Sequence, residues 1–354
     1  MPIHTLYVGT YSDRIHLLSF DATGHLGPMI DVPTPPNPSW LAFSPVEPFM
    51  YAVGERSEGC TLSAYAISPC AANAVPAQPR LINRREYEGG ALCHLSVSPD
   101  GRTLVGAHYA SGEVFSAALT RDGAVGEELS RFRHSNPSGI SDRQASSHAH
   151  CAEFSRDGAF VLCCDLGDDA VYVYRFDAQT GALLPNPIIN RTPEGEGPRH
   201  VALSPDGTRA YVATELGNKL LTYDFDTATG SMTLSGSAST LAPGFSGESS
   251  VAEVALPPCG QPVAGSPFAY VSNRGEDTIA VFDLSGDLPR YHAAFPSGGR
   301  SPRHFAITSG GAFILVANQD SGNVLVYRRD PADGMACEIV SEFRVDSPVW
   351  LGIH

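Results

Sequence analysis

The stretch GPRHVALSPDGTRAYVATELGN, residues 197–218, reads as two short apolar strands around a tight turn. Arg199 stands just before the first strand and Glu215 just after the second. A hairpin returns the end of its second strand to the start of its first, so the two charges meet at the end away from the turn. What they face depends on what surrounds the hairpin.

The hairpin recurs along the chain. Its turn ALSPDG aligns with AFSPVE at Ser44, SVSPDG at Ser98, EFSRDG at Ser155, ALPPCG at Pro257 and AITSGG at Thr308, with the original at Ser204. The intervals are 54, 57, 49, 53 and 51 residues. Each turn is followed by an apolar strand such as FVLCCD or ILVANQ, then a third strand such as AVYVYRFD or NVLVYRRD, then a weaker fourth. Four strands in a period near 50 residues predict the blades of a β-propeller. The termini supply a seventh blade: SPVWLGIH at 347–354 matches the first strand of the repeat, and LYVGTY at 6–11 the second. Pairing the chain's last strand with its first closes the ring and removes an exposed sheet edge. The expectation is an all-β, seven-bladed propeller with four-stranded antiparallel blades, occupying 1–354 as a single domain.

Composition agrees with this. Thirty-five Gly and 28 Pro among 354 residues suit many tight turns. The net charge of −15 argues against nucleic acid or an anionic membrane as a partner. No apolar run of 18 residues exists, and the start MPIHTLYVGTYSD has no basic and apolar leader. The eight cysteines (60, 70, 93, 151, 163, 164, 259, 337) show no C-x-x-C spacing and read as free thiols of a cytoplasmic protein.

In a propeller the first strand of each blade lines the central channel, with the second beside it. The repeat therefore lists the residues at one channel mouth. Opening the first strands stand Ser39, Cys93, His150, Arg199, Ala252, Arg303 and Val349; closing the second strands stand Tyr11, Glu55, His108, Asp165, Glu215, Arg274 and Gln319. Opposed titratable groups converging on one cleft are the pattern of a ligand or acid–base site. Arg143, in the long segment RFRHSNPSGISDRQASSHAH at 131–150, is expected over the same mouth as an anion contact. Expected substrate contacts are thus His148, Arg143, Asp165, Arg303, His108, Glu55 and Gln319. The pair His148-Ala-His150 invites a metal, because i and i+2 on a strand share a side. Two ligands are too few, however, and arginines repel cations, so no metal or other cofactor is expected. His200 and His304, each following an arginine, are expected to pack between blades where Trp40 and Trp350 stand. No G-x-S-x-G, P-loop or dinucleotide fingerprint occurs.

As an ordered set, RQASSHAHCAEFSRDG, GPRHVALSPDG, AYVATELGN, YVSNRGEDTIAVF and PRHFAITSGGAFILVANQDSGNVLVYR resemble the seven-bladed-propeller lactonases. That family includes bacterial 6-phosphogluconolactonases of the propeller type and the fungal carboxy-cis,cis-muconate lactonizing enzyme. The resemblance implies a catalytic set of His150, Glu215, Arg199 and Arg274. RQASSHAH is more similar to the bacterial lactonases, which favours a sugar lactone. The expected activity is metal-independent hydrolysis of a small anionic lactone, first of all 6-phosphogluconolactone, with His150 or Glu215 activating water. The alternatives are the lactone-forming cycloisomerase reaction and a non-enzymatic scaffold; a peptide-binding scaffold would carry aromatics at the mouth, where the repeat lists only Tyr11.

Overall fold

The computed structural model describes residues 4–68, 75–257 and 268–354. Cys70, Cys259 and the second half of the ALPPCG turn lie outside the described residues. Seven antiparallel sheets succeed one another along the chain. Six are built from 41–87, 92–133, 149–191, 198–239, 250–296 and 302–344, here blades 1 to 6. The inner strand of blade 7 is Pro348–Ile353, which pairs with His4–Thr10. Thr5 and His354 exchange both backbone hydrogen bonds, at 2.8 and 3.0 Å. The ring therefore closes by joining the two ends of the chain. Blade 3 departs from the expected count: its third strand, Ala170–Asp177, pairs with two short pieces, Ala182–Leu183 and Ile188–Arg191.

Local chemistry fixes each hairpin. In the SPDG turns the serine hydroxyl donates to the aspartate and accepts the first N–H of the next strand: Ser204 to Asp206 at 2.5 Å and from Arg209 at 2.9 Å. Ser98 and Ser155 repeat both bonds. The glycine closing each turn needs a positive φ, 71° at Gly101 and Gly158 and 73° at Gly207. The second and third strands are buried on both faces, as Ala210–Ala213 and Leu220–Leu221 illustrate. Outer strands such as Met232–Ser239 stay largely exposed. The core is correspondingly divided into seven apolar clusters, each filling the gap between two neighbouring blades. The cluster between blades 7 and 1 joins Tyr7, Ile15 and Trp350 to Leu41, Met50 and Tyr65, so closure is sealed by packing as well as by hydrogen bonds.

Six of the seven inner strands carry a register break at the same place. Their pairing skips Cys93, His150, Arg199, Arg303 and Val349, and it skips Ala252 together with Glu253. A β-bulge adds a residue to one strand and re-aims its side chain. Here it frees residues of six blades from the ladder at the channel mouth. The next residue inward forms a second layer: Trp40, His94, His200, His304 and Trp350 touch one another across the axis at 4.2–6.1 Å between rings. This corrects the expectation that His200 and His304 pack between blades. They plug the channel, and Glu253 joins them, 3.0 Å from His200 Nδ1 and 3.4 Å from His304 Nε2.

Candidate active site

Glu215 is the hub of the mouth. Its Oε1 accepts from Arg143 Nη2 at 2.7 Å, and its Oε2 lies 3.1 Å from Arg199 Nε and 3.0 Å from Arg274 Nη2. The opening hairpin thus does join Arg199 to Glu215. Arg274 comes from blade 5, and Arg143 from a short 3-10 turn, Asp142–Gln144, anchored by the fully buried Gln144. Burial alone would raise the Glu215 pKa, but Arg274, Arg199 and Arg143 together hold it well below the usual carboxylate range. It is ionised at any physiological pH. One carboxylate cannot saturate three guanidiniums. Arg199 also donates to the Ala252 carbonyl and Arg274 to the Val251 carbonyl, yet the buried Nε–H of Arg274 has no acceptor among the described residues. Buried donors without partners are rare and mark places where a ligand completes the bonding.

His150 lies beside this cluster, 5.2 Å from the His200 ring and edge-on to Tyr109 at 5.3 Å. Burial, reinforced by Arg199, pushes its pKa well below 6.5, so the imidazole is neutral. The other half of the mouth holds a second group. Arg303 donates to the Tyr11 hydroxyl at 2.9 Å and reaches Gln319 at 3.5 Å, while Ser39 donates to Glu55. Burial raises the Glu55 pKa against the pull of Ser39 and Arg303, and burial pushes Tyr11 up to about 12. Four guanidiniums therefore face two carboxylates, one of them weakened, in a chain whose net charge is −15.

Two expected contacts lie elsewhere. His108 and Asp165 pair with Glu113 and Ala170, as Thr214 pairs with Lys219, so they are the counterparts of Thr214 and not of Glu215. Because side chains alternate along a strand, one residue of slip points them to the opposite face. His108 is fully buried, its ring 5.2 Å from Phe115, with neither nitrogen hydrogen-bonded among the described residues. Burial pulls its pKa down to about 3. Asp165 accepts from His134 Nδ1 at 2.7 Å and from the amides of His148 and Asp168 at 2.7 and 3.0 Å. The true counterparts of Glu215 are Tyr109 and Leu166. Tyr109 matters most: its hydroxyl accepts from Arg143 at 3.0 Å and its ring stacks on His148 at 4.3 Å. The residue was discoverable from the five-residue step between paired strand ends that blades 2 to 6 share.

His148 does not share a ligand with His150. The bulge at His150 breaks the i, i+2 alternation, and His148 Nδ1 instead meets the Tyr109 carbonyl at 2.8 Å. Among the described residues, His134, Asp165 and Asp168 bring three metal-type ligand atoms together. Their atoms are already occupied, since Asp168 accepts from Ser147 and Tyr172 and His134 also bonds Tyr174 at 3.1 Å. That cluster serves to pin the 134–148 segment, and with it Arg143, to blade 3.

A closed seven-bladed ring with a guanidinium-rich, histidine-containing mouth defines a propeller built to bind a small polar or anionic molecule. A family model described as "Lactonase, 7-bladed beta-propeller" matches residues 5–353. The chain belongs to that family. It is 28% identical over 316 residues to the 6-phosphogluconolactonase of Bacillus subtilis, covering 88% of this chain and 86% of that one. It is 27% identical over 362 residues to the 6-phosphogluconolactonase of Formosa agariphila, covering 96% and 97%. The solved structure of a periplasmic gluconolactonase from Pseudomonas aeruginosa superposes with a TM-score of 0.89 at 28% identity over 99% of both chains.

Proposed function

We propose that the chain, as one catalytic unit over 1–354, hydrolyses a sugar lactone, 6-phosphogluconolactone first among candidates, without a metal. The observation that carries this reading is a neutral His150 beside the Arg199–Glu215–Arg274 cluster, in which the buried Nε–H of Arg274 has no acceptor among the described residues. The lactone carbonyl oxygen takes that donor, which strengthens its hold as the oxygen becomes an oxyanion. His150 accepts a proton as water attacks the carbonyl carbon. The tetrahedral intermediate then collapses, the ring C–O bond breaks, and the imidazolium returns the proton to the departing oxygen. The products are one hydroxy acid and no by-product. Glu215 is too weak a base for this work and instead serves as the counter-charge that keeps Arg143, Arg199 and Arg274 together. The names carried by relatives from Bacillus subtilis and Formosa agariphila support the same substrate class. The six free cysteines among the described residues suit a reducing cytoplasm. The test is an assay of the purified protein against sugar and non-sugar lactones, with and without chelator. Turnover of a sugar lactone that survives chelation is the expected result; turnover abolished by chelator and restored by a divalent ion would falsify the metal-free route.

A further inference from the structure

Of the residues that plug the channel, His200 is the one in direct contact with both His150 and Arg199 among the described residues. Its ring meets that of His150 edge-on, with 5.2 Å between centres. Arg199 Nη1 lies 3.2 Å from its Nε2 and 3.4 Å from its Nδ1. Two nearly equal distances put the guanidinium against the ring face, in line with neither nitrogen. The same Nη1 donates to the Ala252 carbonyl, while Arg199 Nε stands 3.1 Å from Glu215. Burial, reinforced by Arg199, holds the His200 pKa well below 6.5. The guanidinium therefore rests on a neutral ring, a platform that attracts it where an imidazolium would repel it.

The ring is itself held from below by Glu253. Oε2 of Glu253 accepts from His200 Nδ1 at 3.0 Å and lies 3.4 Å from His304 Nε2. His304 presents Nε2–H there, because its Nδ1 accepts the Leu351 amide at 3.2 Å. Oε1 of Glu253 accepts the Val254 amide at 3.0 Å, and the Glu253 amide donates to Ser272 Oγ at 3.0 Å. Carboxylate and backbone are thus both fixed at the point where the blade 5 ladder is broken. An imidazole tied by Nδ1–H to a fixed carboxylate cannot turn without losing a charge-assisted hydrogen bond. We propose that His200, braced by Glu253, is a positioning residue of the active site, setting the Arg199 guanidinium and the His150 ring in place and taking no proton itself. The inference rests on the lactonase reading. Displacing a reacting group by about 1 Å can cost on the order of 100-fold in rate, so a platform shared by both residues bears directly on turnover.

The test measures kcat and KM on the lactone the wild type turns over best, for the wild type, His200→Leu, His200→Gln and Glu253→Gln, well below their melting temperatures. His200→Gln keeps a flat group and an N–H for Glu253 but cannot carry a proton; His200→Leu keeps only bulk. His200→Leu should lose roughly 10- to 100-fold in kcat with KM changed less than about threefold, and His200→Gln should stay within about fivefold of the wild type. Glu253→Gln offers a single oxygen to the N–H groups of Val254, His200 and His304, and should lose roughly 3- to 10-fold in kcat. Equal losses in His200→Leu and His200→Gln overturn the assignment. So does lowered melting with kcat kept within about twofold, the result for a residue that only fills the channel. Should His200→Leu not fold, Glu253→Gln decides: a kcat within about twofold of the wild type overturns the proposal. Each of these outcomes leaves the lactonase reading intact. A wild type that hydrolyses no lactone removes that reading, and this inference with it.

Discussion

The two ends of the channel are lined by the same seven inner strands and could hardly differ more. At one end four arginines, two carboxylates and a neutral histidine meet. At the other a cavity of about 670 Å³ is walled largely by apolar residues such as Phe43, Val97, Phe154 and Leu203, with Glu153 and Arg156 on its wall and Glu253 reaching it from the histidine layer. Between them sits the layer of Trp40, Trp350 and the histidines. The difference follows from the bulges. Above the break, a residue freed from the ladder turns to the axis and can be large and charged. Below it, ordinary alternation resumes and apolar residues return. The same inner strands run through both ends, so chemistry at the mouth depends on the bulges in six of them and not on a different fold.

Four variants test that contrast. The largest effect is expected from His150→Asn, which keeps a polar group of similar reach but removes the base. kcat should fall by about 10²–10⁴ with melting little changed; a near-normal kcat removes His150 from the chemistry. The pH profile gives a matching check. His150 works in its neutral form and its pKa is depressed, so activity should hold steady from neutrality downward through the ordinary histidine value and decline only well below it. An acid limb centred near 6.5 points to another base.

Glu215→Gln leaves three guanidiniums without their common counter-charge. Breaking a buried pair costs about 3–5 kcal/mol, and here the part owed to half-exposed Arg143 is reduced by solvent. Melting should drop along with kcat. Because the Glu215 pKa is depressed, its contribution is present above the unfolded value of 4.5 and is lost only as pH falls towards the folded value. A Glu215→Gln enzyme as stable as wild type at pH 7 breaks the hub assignment.

At the opposite end Glu153 behaves in reverse. Burial raises its pKa to about 7, opposed by Arg156. A raised acid favours the fold below the unfolded value of 4.5, and that advantage disappears as pH climbs through about 7. Glu153→Gln should therefore stabilise the protein at pH 8, by on the order of 2–3 kcal/mol, and change little at pH 4. Identical melting differences at both pH values refute the description of Glu153 as a buried acid with a raised pKa. The smallest effect is expected from His108→Leu. Removing a buried imidazole with two unbonded nitrogens should raise stability by about 1 kcal/mol and leave turnover alone. A loss of turnover returns His108 to the substrate site.

The repeat made the blades and the closing of the ring legible, because turn spacing and strand polarity survive in every unit. It also led to Arg199, Glu215 and Arg274, whose hairpins end on charged residues in the right register. It failed at His108 and Asp165 for a physical reason. There the residue facing the mouth is Tyr109 or Leu166, and choosing the neighbouring titratable side chain shifts the register by one. Which residue is skipped by a bulge is settled by pairing with the next strand, which composition does not reveal. The histidine layer escaped for the same cause. Arg143 could be placed over the mouth because only its segment leads into His150, but its partner Glu215 lies 72 residues away in the chain.

Closure of blade 7 has a consequence for biosynthesis. Strand His4–Thr10 takes its inner neighbour from Pro348–Ile353, so one of its edges is unpaired until nearly the whole chain has been made. At about 5–20 residues per second the wait is roughly 20–70 s. During it the first strands, apolar on both faces, are an open template for a foreign strand. Native pairing across so long a stretch of chain is slow to nucleate. The nascent protein is therefore most exposed to misassembly before its last strand arrives, and the exposed edge belongs to its beginning rather than its end.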